Sequence, residues 1–107
     1  MLMIFNPQCE HCQHATEELV KNIDKFKDIQ VVMTTSMPFD SMLSFREKYQ
    51  LAKYPTIVVA QDTHWFLPTY YMLNNLPYLA FYNKNKELIS VFAGSLPITA
   101  ILEVFKD

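Results

Sequence analysis

The spacing of hydrophobic residues changes soon after the chain begins. Leu2 to Phe5 form a short continuous apolar run that ends at Asn6-Pro7, a pattern typical of a strand that is buried on both faces. From Cys9 onward the period lengthens, and apolar residues fall three or four positions apart, at Ala15, Leu19, Ile23 and Phe26. This spacing predicts an amphipathic helix of about 15 residues that begins near Cys9.

A second strand and a second helix follow in the same order. The stretch from Asp28 to Ser36 is rich in β-branched residues and predicts a buried strand. Residues 37–51 predict a helix with Ser36 as a candidate cap and Pro38 in the first turn. The apolar face expected for this helix consists of Phe39, Met42, Leu43 and Tyr49. Residues 55–62 then predict a short strand or extended segment.

Residues 63–73 form an aromatic segment with a helix-like pattern. Pro68 lies in this segment, so any helix there must begin or kink near that residue. Large aromatic residues are more often buried than exposed, and we interpret this group as part of the core rather than as a docking surface. Its members are Trp65, Phe66, Tyr70 and Tyr71.

The last third of the chain predicts a hairpin and a helix. The runs Tyr78–Asn83 and Glu87–Gly94 resemble strands, and the polar residues between them favour a hairpin. A final helix is predicted by the spacing of Ile98, Ile101, Leu102 and Phe105. The order of elements is therefore β-α-β-α, an irregular connection, and β-β-α. It predicts one α/β domain over residues 1–107, with a parallel strand pair and an antiparallel hairpin covered by helices.

Composition and charge narrow the classes of function. A chain of 107 residues with 50% hydrophobic residues can bury one core. The formal net charge of −2 and the single arginine, Arg46, give no basic surface, so nucleic acid is not an expected partner. No apolar run approaches the roughly 18 residues of a membrane-spanning helix. The first apolar run also lacks the basic segment that precedes it in a signal peptide.

Cys9 and Cys12 are the two cysteines of the chain, and they are the candidate reactive residues. A bond between residues three apart closes too small a loop to brace a fold, which favours a chemical role. Free N–H groups and the positive end of the dipole stabilise a thiolate at a helix start. We therefore expect Cys9 to be the exposed nucleophile and Cys12 the more buried, resolving thiol. His11 would favour the thiolate and a more oxidising pair, whereas Glu10 would oppose it.

The stretch Phe5–Cys12, "FNPQCEHC", resembles the active-site turn of thioredoxin-like proteins, in particular thiol-disulfide oxidoreductases of the TlpA/ResA type. The stretch Tyr71–Pro77, "YMLNNLP", is similar to the segment that leads to that family's cis proline, which faces the cysteines. This resemblance places Pro77, with Leu76 and Tyr78 beside it, in the substrate groove. It covers nearly the whole chain and implies a thioredoxin-like fold with a central mixed sheet flanked by helices.

The same resemblance implies thiol-disulfide exchange with protein or peptide substrates, without a bound cofactor. It favours the reducing direction, with electrons from an upstream dithiol partner, and a periplasmic or cell-envelope location. The family's usual N-terminal strand is missing, which implies a trimmed product, a fragment of a longer precursor or a minimal variant. The sequence also differs from thioredoxin at two places that affect the chemistry. Glu10-His11 replaces the Gly-Pro of thioredoxin, and Met3 stands where thioredoxin has a buried acid.

Metal binding is the main alternative reading of the cysteine pair. Cys9 and Cys12 with His11 or His14 would supply the ligands of a metal-binding or metal-delivery module, and His64 is a distant further candidate. Four ligands within six residues of one helix start do not easily converge on one ion, and structural zinc normally uses a second ligand pair elsewhere. An inert pair, or a binding module that keeps the fold without turnover, is the remaining alternative.

Overall fold

Five strands form one mixed sheet in this computed structural model, which describes residues 1–62, 76–94 and 96–105. The strands are β1 (Leu2–Ile4), β2 (Val31–Thr35), β3 (Ile57–Gln61), β4 (Tyr78–Tyr82) and β5 (Leu88–Ala93). The α-helices of the described ranges are α1 (Glu10–Lys21), α2 (Phe39–Lys48) and α3 (Ile98–Val104). Short 3₁₀ turns follow α1 at Ile23–Phe26 and α2 at Leu51–Lys53. Within the described ranges, the predicted order of strands and helices is confirmed.

The sheet has a parallel half and an antiparallel half, in the order β3-β2-β1-β4-β5. The strands β1, β2 and β3 run parallel, with Leu2 opposite Val32 and Val32 opposite Val58. On the other side, β4 runs antiparallel to both β1 and β5. The predicted hairpin is therefore present, and β1 lies in the middle of the sheet with a paired strand on each side.

The strands of the sheet centre are buried on both faces, because consecutive residues such as Met3 and Ile4 point to opposite faces and are each 2% exposed. The largest cluster of buried side chains lies on the face that Met3 shares. Met3, Met33 and Leu79 point from three adjacent strands into this layer and are almost completely buried. Helical residues pack against them, namely Leu19 of α1, Phe45 of α2 and Ile101 of α3. Both the cysteine-bearing helix and the strand that precedes it are thus held by the same core.

The helix α2 differs in two details from the sequence expectation. Its N-cap residue is Pro38, with no side-chain cap, and the Ser36 hydroxyl instead lies 3.5 Å from an Asp62 carboxylate oxygen. Phe39, which was expected on the apolar face, is 47% exposed, whereas Phe45 is 4% exposed and packs 4.6 Å from the Phe5 ring. Phe39 is the first residue of the helix, one position after its N-cap.

Some expectations lie outside the described residues. These concern the aromatic segment 63–73 with Pro68, the interpretation of its four aromatic residues as core, and the distant candidate ligand His64. The single-domain organisation stays a prediction. Within the described ranges, no helix has the length and apolar character needed to cross a membrane.

Candidate active site

A tight turn connects β1 to α1 and places the first cysteine. The Cys9 N–H donates to the Asn6 carbonyl at 2.9 Å, and the Asn6 side-chain oxygen accepts from the Gln8 N–H at 2.9 Å. Asn at the first position and Pro at the second, here Pro7, are preferred residues of such turns. Because Phe5 is still bonded to β2 through its N–H and the Thr34 carbonyl, the turn begins from a fixed strand end.

Cys9 is the N-cap residue of α1, and its sulfur occupies the capping position. The Sγ atom accepts from the Cys12 N–H at 3.4 Å, and the side chain is half-buried. The N–H groups of a first helical turn lack helical partners, and the helix dipole is positive at this end. The Cys9 sulfur therefore lies at the positive end of the helix dipole.

Cys12 lies one turn further along α1 and is completely buried. Burial raises the pKa of its thiol to about 12; a backbone hydrogen bond from Asn6 acts in the opposite direction, and the neighbouring Cys9 adds to the increase. The thiol is thus protonated near neutral pH in the reduced protein. The predicted contrast between an accessible first cysteine and a buried second cysteine is present in the structure.

The third part of the site comes from the segment just before β4, where Leu76 lies 67 positions from Cys9 along the chain. The Cys9 thiol lies 3.7 Å from the Leu76 carbonyl oxygen, to which it can donate. The peptide bond between Leu76 and Pro77 is cis. Pro77 is buried, and its carbonyl accepts from the Gly94 N–H at 2.8 Å. The pairing of β1 with β4, with Ile4 opposite Tyr78, brings this segment to the cysteines.

The other residues named from the sequence are partly or fully exposed in the structure. Glu10 and His11 are exposed in the first turn of α1, and Tyr78 is half-buried at the start of β4. His14 is exposed on the same helix. In residues 1–62, 76–94 and 96–105, no group of three or more His, Cys, Asp or Glu residues could hold a metal ion.

Two polar residues near the cysteines were not singled out from the sequence. Asn6 organises the turn, and Gln13 connects the helix back to it, because its side-chain amide donates to the Pro7 carbonyl at 2.9 Å. The dipeptide Asn-Pro before a cysteine was a turn signal that could have identified Asn6. Nothing local in the sequence indicates the contact made by Gln13.

Comparison with solved structures identifies the fold. No protein-family model matches the sequence, and no curated protein matches it either. The chain is similar to a secreted Mycobacterium tuberculosis disulfide oxidoreductase, with a TM-score of 0.77, 16% identity, and coverage of 96% of this chain and 76% of that one. It is also similar to a thiol-disulfide isomerase from Corynebacterium glutamicum, with a TM-score of 0.75, 15% identity, and coverage of 99% and 79%.

A further similar structure is StoA from Bacillus subtilis, with a TM-score of 0.71, 15% identity, and coverage of 96% of this chain and 78% of that one. The fold of this chain is thioredoxin-like, as the resemblance implied. In chemical terms, the site consists of two thiols three residues apart at a helix start and a backbone carbonyl that faces the first of them.

Proposed function

We propose that the protein is a thiol-disulfide oxidoreductase that exchanges disulfides with protein or peptide substrates through Cys9 and Cys12. The observation that carries this proposal is the position of the Cys9 sulfur, 3.4 Å from the Cys12 N–H nitrogen and 3.7 Å from the Leu76 carbonyl oxygen. The Cys9 thiol is half-buried and caps the start of α1, and the Cys12 thiol is buried one turn further along the helix. Attack and resolution require this division of roles.

In the reducing direction the exchange has two steps. The Cys9 thiolate attacks one sulfur of a substrate disulfide, forms a mixed disulfide, and releases the other substrate sulfur as a thiolate. The Cys12 sulfur then attacks the Cys9 sulfur, which releases the second substrate thiolate and forms the Cys9–Cys12 disulfide. Two electrons pass to the substrate, its two thiolates take up the protons lost by the cysteines, and an upstream dithiol partner restores the reduced pair.

The segment Leu76–Tyr78 is proposed to hold the substrate chain. The Leu76 carbonyl already faces Cys9, and the Pro77 carbonyl is occupied by the Gly94 N–H. An extended substrate segment that donates an N–H to the Leu76 carbonyl would bring its own cysteine next to the Cys9 sulfur. Such strand addition derives binding from backbone groups and so tolerates different substrate side chains.

The test of the function uses two cysteine variants. Cys9→Ser is expected to abolish catalysis of insulin reduction by dithiothreitol and leave only the uncatalysed rate. Cys12→Ser is expected to retain mixed disulfides with substrate because the resolving thiol is gone. The matched control is Ser44→Ala, a change of similar size at an exposed position of α2. A Cys9→Ser protein that still reduced insulin at the wild-type rate would refute the assignment.

We further propose that the pair works in the reducing direction on exported proteins, in keeping with the resemblance to TlpA/ResA-type proteins. The measurement is the reduction potential of the pair, equilibrated in glutathione buffers. Potentials of known dithiol pairs extend from about −270 mV for thioredoxin to about −120 mV for strong oxidants. A value near the lower end supports a reductase, and a value near the upper end would identify a donor of disulfides instead.

The first-turn residues Glu10 and His11 are proposed to set this potential. Because both side chains are exposed, solvent screens their effect on the Cys9 sulfur. His11→Ala is therefore expected to lower the potential by a small but measurable amount, of about 10–30 mV. His14→Ala, one turn further along the same helix, is the matched control. An unchanged potential in His11→Ala would remove His11 from the mechanism.

A further inference from the structure

Asn6 contacts the first reactive cysteine through its backbone. Its carbonyl accepts from the Cys9 N–H at 2.9 Å. The Cys9 sulfur in turn accepts from the Cys12 N–H at 3.4 Å, so the turn that begins at Asn6 leads directly to the contact between the two cysteines. Its side chain contributes separately, because the amide oxygen accepts from the Gln8 N–H at 2.9 Å and closes a second ring within the same turn.

From these contacts we infer that Asn6 is a positioning residue for disulfide exchange, whose side chain fixes the turn that holds the Cys9 and Cys12 sulfurs within reach of each other. This inference rests on the proposed function. A side-chain oxygen at the first turn position locks the local backbone, since asparagine can bond to the N–H two residues later. The half-buried turn from residue 6 to residue 9 is further fixed at Pro7, whose carbonyl accepts from the Gln13 side chain.

Loss of the Asn6 side chain is expected to change how readily the Cys9–Cys12 disulfide forms. Two thiols held in one geometry lose little freedom when they bond, so their effective concentration towards each other is high. In Asn6→Ala, the Gln8 N–H loses its side-chain partner, and the turn can take up other conformations. The Cys9–Cys12 disulfide is then expected to form less favourably, and Cys12 is expected to attack a mixed disulfide on Cys9 more slowly.

The experiment measures the equilibrium between the dithiol and disulfide forms in glutathione buffers. Asn6→Ala is expected to weaken the Cys9–Cys12 disulfide by about twofold to fivefold, the effect of one partly exposed hydrogen bond. The mixed disulfide with glutathione is expected to persist longer by a similar factor. Asn6→Ser retains a neutral side-chain acceptor and is expected to restore most of the wild-type equilibrium.

The matched control is Asn22→Ala, the same substitution at the other end of α1. The Asn22 side-chain amide donates to the Glu18 carbonyl at 2.8 Å, far from the cysteines. It should cost helix stability without moving the redox equilibrium. If Asn6→Ala behaves like wild type, or if both alanine variants shift the equilibrium equally, the positioning role is refuted. A wild-type protein that forms no Cys9–Cys12 disulfide at all would instead refute the proposed function.

Discussion

Cys9 and Cys12 differ in their surroundings far more than their separation along α1 suggests. Cys9 is half-buried at the helix start, whereas Cys12 is 0% exposed and its pKa is raised to about 12 by burial. In the unfolded chain this thiol would titrate near its ordinary pKa of about 9. Between these two values the unfolded state has lost a proton that the folded, reduced protein keeps.

This difference predicts a pH dependence of stability. The free energy of unfolding of the reduced protein is expected to fall above about pH 9, by up to about 1.4 kcal/mol per pH unit, because the unfolded state then binds one proton fewer. Urea unfolding from about pH 8 to about pH 10.5, compared between wild type and Cys12→Ala, isolates this contribution from the lysines and tyrosines. Parallel pH profiles for the two proteins would contradict the raised pKa.

At the scale of the element, α2 shows why a hydrophobic pattern does not by itself identify the buried side chains. Phe39 and Phe45 lie six positions apart on this short helix, but only Phe45 packs against the core. Phe45→Ala is expected to lower the free energy of unfolding by about 3–5 kcal/mol, because it leaves a cavity beside Phe5. Phe39→Ala, the matched control, should change it by about 0.5 kcal/mol or less. Urea unfolding of both variants tests this, and equal losses would contradict it.

The elements that could be predicted were those whose pattern is local. The strands β1, β2, β4 and β5 follow from apolar runs, and α1 follows from a change of period at Cys9. The exposure of Phe39 could not be predicted, because it depends on which other elements of the fold contact the first turn of α2. Likewise, Gln13 contacts Pro7 only because the turn folds back on α1, a relation that no spacing rule encodes.

At the scale of the whole molecule, the candidate site was predictable where a local motif and a resemblance agreed. The strand, turn and helix around Cys9 indicate a reactive pair from the residues alone, and the resemblance supplied Pro77, which lies far away in the sequence. The side-chain roles of Asn6 and the exposures of Glu10 and His11 required the folded chain. The chemistry needs residues that lie far apart in the sequence to meet in space, and local sequence patterns do not predict such contacts.

The central position of β1 has a consequence for the dynamics of the site. Cys9 follows β1 after a short turn. Leu76 directly precedes Pro77 and β4, and β4 is the strand that pairs antiparallel with β1. Fraying of the outer strands β3 and β5 would leave this pair together. Separating the Cys9 sulfur from the Leu76 carbonyl by a sheet opening requires breakage of the middle of the sheet, which in most domains opens only with global unfolding. Fraying at the edges of the sheet should therefore leave the two strands that carry the site paired with each other.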